Sequence, residues 1–383
     1  MHRLRILRPD VPGLRHHGGK IRVEEERSLN DRVMMKGNEA IAEAAVQAGC
    51  RCFFGYPITP QNEIPEYMSK RLPEVGGVFL QAESEVSAIN MVYGAAGTGV
   101  RVMTSSSSPG ISLKQEGISY LVGAELPCVI VNIVRGGPGL GSIQPAQSDY
   151  FQATRGGGHG DYNLCVFAPG TVQEAVELTQ RAFDVADKYR TPVMVLGDGI
   201  IGQMMEPVRM PEYKMPQLPE KSWAATGWTE GCGRPRAVIN SLYIQAAACE
   251  KHNLNIYNKM NELAKQELLF DTQMMEDADF AVVAYGTTAR IALSSVRRLR
   301  AAGHKVGLIR PITLWPFPSA YIGQAAQKVK GMLAVEMSLG QMVEDVRLAA
   351  NGACPVGFFG RTGGVIPGVN EIAEKVLAMK EGL

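Results

Sequence analysis

The 383-residue chain has no run of about 18 apolar residues, the length a membrane-crossing helix needs. Its most apolar stretch, Leu121–Val134, is broken by Glu125, Pro127 and Asn132. An excess of either charge is missing too. The formal net charge is +1, so no overall field draws nucleic acid or an acidic membrane surface. C-x-x-C pairs are absent, and the seven cysteines are scattered along the chain. An odd, dispersed set argues against a disulfide framework, a zinc ribbon or a self-contained iron–sulfur cluster. Reduced, mostly buried thiols in a cytoplasmic protein are the expectation. Neither a phosphate-binding G-x-x-x-x-G-K-[ST] loop nor a dinucleotide fingerprint occurs, and no G-x-S-x-G elbow supports a serine nucleophile.

What is present is a regular alternation of short apolar runs and amphipathic stretches. Hydrophobic residues make up 45% of the chain and charged residues 20%, as in a globular protein. Residues 1–32 mix Arg, His, Pro and Glu without a period and are expected to be a mobile extension. From 33 to 202, strands such as Cys128–Val134 alternate with helices such as Val172–Tyr189, which predicts a parallel sheet with helices on both faces. Residues 203–275 read as a linker followed by a long helix. A smaller α/β unit is expected over 276–383, with strands near Phe280, His304 and Gly331.

In an open parallel sheet, ligands bind outside the carboxyl ends of the strands. Four polar or glycine-rich segments are expected at that edge. The first is Gly55-Tyr56-Pro57-Ile58-Thr59-Pro60, where two prolines end a strand and the stiff loop presents the Thr59 hydroxyl. The second holds Glu83 and Glu85 at the start of an apolar helix; either could be a binding acid or a first-turn capping acid. The third is the serine run Ser105–Ser108 before Pro109-Gly110. The fourth is Arg135, which opens a glycine-rich loop up to Gly141 and is suited to gripping an anion or to a structural salt bridge. His159, in a second glycine run, could also face the site.

Taken together, these motifs resemble the α subunit of the 2-oxoacid:ferredoxin oxidoreductases, and its thiamine-diphosphate "pyrimidine" domain in particular. The likeness runs from about Lys36 to Pro207. The C-terminal unit is similar to the transketolase C-terminal-like domain that follows in this family. The resemblance implies that Glu85, rather than Glu83, hydrogen-bonds the aminopyrimidine ring and promotes loss of the thiazolium proton. It implies that Thr59 and Arg135 contact the substrate's keto and carboxylate groups, and that Pro57 borders the cofactor. It implies an oxidative decarboxylation that yields an acyl-CoA from coenzyme A and sends electrons to ferredoxin.

The resemblance also implies partner chains. A β subunit would share the thiamine diphosphate and hold its diphosphate and Mg2+, and small subunits would carry the iron–sulfur clusters. Gly197-Asp198-Gly199 looks like half of a diphosphate–magnesium motif, but the expected downstream asparagines are missing near Trp223–Glu230, so a metal role is rejected. Within the family, Gln61–Pro65 and Gly139–Pro145 look most like the type acting on 3-methyl-2-oxobutanoate, with the 2-oxoglutarate type as runner-up. Two rival readings are a non-catalytic scaffold, which would not need Glu85, Thr59 and Arg135 together, and a nicotinamide dehydrogenase, which lacks its fingerprint here.

Overall fold

The computed structural model describes residues 32–382. The proposed extension 1–32 therefore lies, apart from Arg32, outside the described residues. Two open sheets organise the rest. The larger has seven strands, in the order Thr313–Trp315, Cys165–Phe167, Pro192–Asp198, Cys128–Val134, Val102–Ser106, Cys52–Gly55, Val78–Gln81. The last six of these are mutually parallel, and Thr313–Trp315 runs antiparallel at the edge.

Burial explains this arrangement. Every residue of Cys128–Val134 and of Pro192–Asp198 is buried, as an apolar strand covered on both faces must be. One face packs against helices Gly37–Gln47, Glu63–Glu74 and Val172–Tyr189 through Ile41, Met68 and Phe183. The other packs against Glu85–Gly97 and Pro109–Gly123 through Ile89, Ile111 and Ile118. Helix Val172–Tyr189 begins where Thr171 accepts the Glu174 N–H, a side-chain cap. These parallel sheets with helices on both faces are the expected fold class.

The second sheet has the order Val356–Gly360, Gly331–Glu336, Phe280–Val283, Val306–Pro311, Phe270–Gln273, with only the last strand antiparallel. The two sheets share a chain crossing. Val306–Pro311 belongs to the smaller sheet, and two residues later Thr313–Trp315 pairs with Cys165–Phe167 in the larger one. The junction is further tied by the Arg310–Glu174 ion pair at 2.7 Å. The buried Gln147 adds to it, donating to the Tyr285 carbonyl at 3.0 Å and accepting from Thr288 and the Met337 N–H.

The segment expected as a linker is more structured than its composition indicated. Met205–Val208 pairs antiparallel with Val33–Lys36, and Phe270–Gln273 already belongs to the second sheet. The long helix spans Ala246–Gln266. Its polar contacts run to the first unit: His252 to the Gly123 carbonyl at 2.7 Å, and Lys259 to Glu125 at 2.7 Å. The cysteines are unpaired.

Candidate functional site

The larger sheet switches direction between Cys52–Gly55 and Val102–Ser106. The chain leaves the former toward Val78–Gln81 on one side and returns to Val102–Ser106 on the other. A crevice at the strands' carboxyl ends is the usual result of such a switch, and the predicted segments meet there.

The Tyr56–Pro60 loop is fixed from several sides. Gln61, fully buried, accepts a hydrogen bond from Ser105 Oγ and donates to the Tyr56 carbonyl. The Pro60 carbonyl accepts from Asn38 Nδ2 and Gln203 Nε2, each at 2.9 Å. Thr59 is left half-buried and Pro57 exposed.

Arg135 is buried at the end of its strand, and its hydrogen-bond partners are carbonyl oxygens, not carboxylates. Nη1 donates to the Thr59 carbonyl at 3.0 Å and Nη2 to the Leu140 carbonyl at 3.1 Å, while buried Nε has no partner among the described residues. A guanidinium held by neutral groups keeps its charge available to an anion. The loop after it closes on itself: Ser142 N–H donates to the Gly136 carbonyl at 2.8 Å. Gly141 sits at φ +56, and a Cβ there would strike that same carbonyl, so the closure requires glycine.

The two candidate acids separate cleanly. Glu83 is exposed, and its carboxylate accepts from the Ser84 and Ser87 hydroxyls. Ser84 itself caps the helix. Glu85 is 6% exposed and turns inward. Its carboxylate lies over the first turn of helix Pro109–Gly123: a Cβ on Gly110 would sit 2.6 Å from Glu85 Oε1 and closer still to Ser106 Oγ.

The serine run is not simply a loop after its strand, as expected; Ser105 and Ser106 complete Val102–Ser106. Ser106 and Ser107 hydroxyls are buried without partners among the described residues. Ser108 adopts φ 30, a strained conformation for a non-glycine residue. Asn132 Oδ1 holds its N–H at 3.1 Å, and its hydroxyl accepts from the Arg135 N–H at 3.1 Å. Arg135 thus joins the serine run at Ser108 and reaches across to Thr59, while Glu85 and Ser106 both border Gly110 at the start of the following helix.

His159, which could have faced the site, and Asp198, whose metal role the sequence rejected, are engaged otherwise. His159 packs edge-on against Tyr120, and its carbonyl accepts from Ser119, well along the Pro109–Gly123 helix. Asp198 caps Gly199–Gln203, with Oδ1 accepting from the Ile200 and Ile201 N–H groups.

Two contributors were missed. Lys114 is completely buried and donates to Thr104 Oγ1 at 2.7 Å and the Ser105 carbonyl at 2.9 Å. Burial drives its pKa down to about 7, against an upward pull from Glu85. The sequence did carry a signal, because Lys114 falls on the same helical stripe as Ile111, Ile118 and Leu121. Asn132, polar within an apolar strand, was equally visible. It donates to Asp149 at 3.0 Å, and burial raises the pKa of that carboxyl.

Beside Thr59 opens a cleft of about 650 Å³, bounded by Ile143, Pro145, Ile200, Met204 and, from the second unit, Ile366. None of its lining residues is Lys or Arg, and Glu63 is one of them. Burial raises the Glu63 pKa, but hydrogen bonds from Asn38, Lys36 and Gln203 more than offset this and hold it below the usual value. Among the described residues, no helix is long and apolar enough to cross a membrane.

Comparison with known proteins places this geometry. A family model described as pyruvate flavodoxin/ferredoxin oxidoreductase, thiamine diphosphate-binding, matches residues 43–266. One for pyruvate:ferredoxin oxidoreductase core domain II matches residues 278–372. Ketoisovalerate oxidoreductase subunit VorB of Methanothermobacter thermautotrophicus is 49% identical over 343 residues, covering 90% of this chain and 96% of that protein. The 2-oxoglutarate synthase subunit KorA of the same organism is 37% identical over 376 residues, covering 92% of this chain and 100% of that one. The solved 2-oxoglutarate:ferredoxin oxidoreductase from Magnetococcus marinus, with 2-oxoglutarate, coenzyme A and succinyl-CoA bound, superposes with a TM-score of 0.81 at 26% identity. That match covers 91% of this chain but 65% of the larger one.

Proposed function

The chain belongs to the thiamine-diphosphate-binding pyruvate flavodoxin/ferredoxin oxidoreductase family, as a 2-oxoacid:ferredoxin oxidoreductase α subunit, and from that premise we propose that its complex oxidatively decarboxylates 3-methyl-2-oxobutanoate to an acyl-CoA and carbon dioxide, with electrons passing to ferredoxin. In this reading residues 33–202 form the thiamine-facing unit, 203–275 the connection and 276–383 the second unit.

The residues fit the cofactor. A buried carboxylate at Glu85, and the Ser106 and Ser107 hydroxyls and Arg135 Nε, which have no partner among the described residues, lie at neighbouring strand ends of one sheet. Bound thiamine diphosphate would supply the carbanion chemistry that breaks the bond between the oxo carbon and the carboxylate. Glu85, buried away from water, would hydrogen-bond a ring nitrogen of the bound cofactor and so assist its proton transfers. Pro57 would border the ring. Arg135 neutralises the substrate carboxylate before it departs, and the Thr59 hydroxyl donates to the keto oxygen. Asp198 is engaged as a helix cap, so Mg2+ and the diphosphate are assigned to a β subunit, and the iron–sulfur clusters to small subunits.

The observation that carries the substrate is the cleft beside Thr59. Its apolar lining residues Ile143, Pro145, Ile200, Met204 and Ile366, set beside polar Asn62, Gln144 and Gln203, suit a branched alkyl group. Its lining includes no Lys or Arg for a distal carboxylate, and its own Glu63 is already paired with Lys36 at 3.1 Å. Higher identity to the ketoisovalerate subunit than to the 2-oxoglutarate subunit points the same way. The test is co-expression with the partner subunits and assay of viologen reduction against a panel of 2-oxoacids. We expect kcat/KM for 3-methyl-2-oxobutanoate to exceed that for 2-oxoglutarate by ~30- to 1,000-fold, the equivalent of about 2–4 kcal/mol for a charge left unpaired. Preference for 2-oxoglutarate would overturn the substrate.

A further inference from the structure

The second sheet has its own switch of direction. From Phe280–Val283 the chain passes to Val306–Pro311 on one side, and Gly331–Glu336 later joins on the other. The strand ends flanking such a switch are where an open α/β sheet takes a ligand. Here the place is filled from within the chain, by Gln147 of the first unit. The residue is buried, and each of its polar atoms is engaged there. Nε2 donates to the Tyr285 carbonyl at 3.0 Å, and Oε1 accepts from Thr288 Oγ1 at 2.8 Å and from the Met337 N–H at 3.0 Å. The Gln147 N–H donates to the Met337 carbonyl at 2.8 Å, and its carbonyl accepts from the Tyr285 hydroxyl at 3.2 Å. A Cβ on Gly286 would sit 3.2 Å from Nε2, so the amide is closely held.

The chain on either side of Gln147 leads to Arg135. Before it, Pro145 pairs with Arg135 itself in an antiparallel bridge, and the Gln144 carbonyl accepts from the Gly136 N–H at 3.0 Å. After it, Asp149 accepts from Asn132 Nδ2 at 3.0 Å. Asn132 Oδ1 accepts from the Ser108 N–H at 3.1 Å, and the Ser108 hydroxyl accepts from the Arg135 N–H at 3.1 Å. We propose that Gln147 is a positioning residue for Arg135: it fixes the segment Pro145–Asp149 in the switch point of the second sheet, so that the second unit sets where the guanidinium stands against the substrate carboxylate. The inference rests on the proposed role of Arg135 and deepens it. A buried amide suits the task. Its hydrogen bonds fix direction as well as distance, and it adds no charge beside the guanidinium.

Gln147→Met fills nearly the same space and removes the side chain's donor and acceptor. In the assembled complex we would measure viologen reduction with the 2-oxoacid it uses best, in a double-mutant cycle with Arg135→Met, together with melting temperatures. Gln147→Met alone should lower kcat/KM ~10- to 100-fold, as for a binding group displaced by up to about 1 Å, and chiefly by raising KM. In the Arg135→Met background the same change should lower it by less than about threefold, because the group it positions has gone. The melting temperature should fall by similar amounts in both backgrounds, since the hydrogen bonds lost to Tyr285, Thr288 and Met337 are the same. Arg310→Met is the control. It loosens the same junction through Glu174 and should lower the melting temperature while leaving KM near the wild-type value.

The Arg135→Met corner of the cycle tells two failures apart. If that change leaves kcat/KM within about threefold of wild type, the reading of Arg135 fails and this inference falls with it. If Arg135→Met costs activity while Gln147→Met costs none, or costs the same factor in both backgrounds, only the Gln147 proposal is overturned. A rise in KM with Arg310→Met as large as with Gln147→Met would also overturn it, because a general loosening of the junction would then account for the effect. Should Gln147→Met not assemble, Thr288→Val takes one donor from the same amide and is read in the same cycle by the same criteria.

Discussion

Replacing Arg135 with methionine removes the charge at this edge while roughly keeping side-chain volume, and its two effects differ enough in size to be told apart. On the stability side, the change strips one donor each from the Thr59 and Leu140 carbonyls. Leu140 is 84% exposed, so its carbonyl recovers water at once. Thr59 is half-buried and recovers part of it. A charged hydrogen bond contributes about 1.5–3 kcal/mol when fully buried. With both acceptors reaching solvent, we expect a net loss of about 1–2 kcal/mol and a fall of a few degrees in melting temperature.

The catalytic side is larger. The proposed substrate carboxylate would meet a buried site without its cation, at about 2–4 kcal/mol. At about 1.36 kcal/mol per decade, kcat/KM should drop ~30- to 1,000-fold. The assay is viologen reduction by the co-expressed complex with saturating cofactor, plus an attempt at rescue by added guanidinium ion. A variant within about threefold of wild type, or one whose melting temperature collapses in step with its activity, would refute the assignment of Arg135 to substrate and leave it as a loop anchor.

Two further changes probe the frame around the site. Gly110→Ala adds a favoured helix former on a turn where its methyl must displace Ser106 Oγ and Glu85 Oε1; circular dichroism should show intact helix while turnover falls at least ~10-fold, and full activity would show that Glu85 tolerates displacement. At the junction, Glu174 is half-buried; burial raises its pKa, but hydrogen bonding and charge from Arg310 outweigh this and hold it below its ordinary 4.5. Its contribution to stability is therefore present above that value and lost as pH falls through the lowered one. Arg310→Met should cost about 3 kcal/mol at neutral pH and let burial dominate Glu174, so that melting temperature begins to decline at a higher pH than in wild type; parallel melting curves down the pH scale would count against the pair as a brace.

Legibility in the sequence followed burial and cooperativity. Cys128–Val134, Val172–Tyr189 and Gly331–Glu336 end where their patterns predict, because each is long enough for its period to outweigh local exceptions. Thr313–Trp315 and Cys165–Phe167 were not legible. Each is three residues long and owes its strand character to pairing with the other across the junction, a contact about 150 residues away. The spacing left Glu83 and Glu85 open and the family resemblance chose Glu85; packing then sets buried Glu85 apart from exposed Glu83. His159 showed the opposite failure: a histidine among glycines promises mobility, yet Gly157 and Gly158 close onto Gln115 and Ser119 and carry it along the helix, away from the crevice.

The crevice also bears on the proposal that its site is shared with a partner chain. A chain that completed its own binding pocket would satisfy the polar atoms it buries, since each one left alone costs about 1–3 kcal/mol. Here Ser106 Oγ, Ser107 Oγ and Arg135 Nε are without partners among the described residues, all within the same stretch of strand ends. The surrounding groups are tightly held by Gln61, Asn132 and the Pro60 carbonyl's two donors. Ser108 is held in a strained backbone conformation between Asn132 and Arg135. Rigid support around unsatisfied donors is the pattern expected when a cofactor presented by a neighbouring subunit supplies the missing acceptors. On that view the strain and the orphaned atoms are stabilised by binding rather than by folding, which places the cofactor's affinity and the subunits' association in one linked equilibrium.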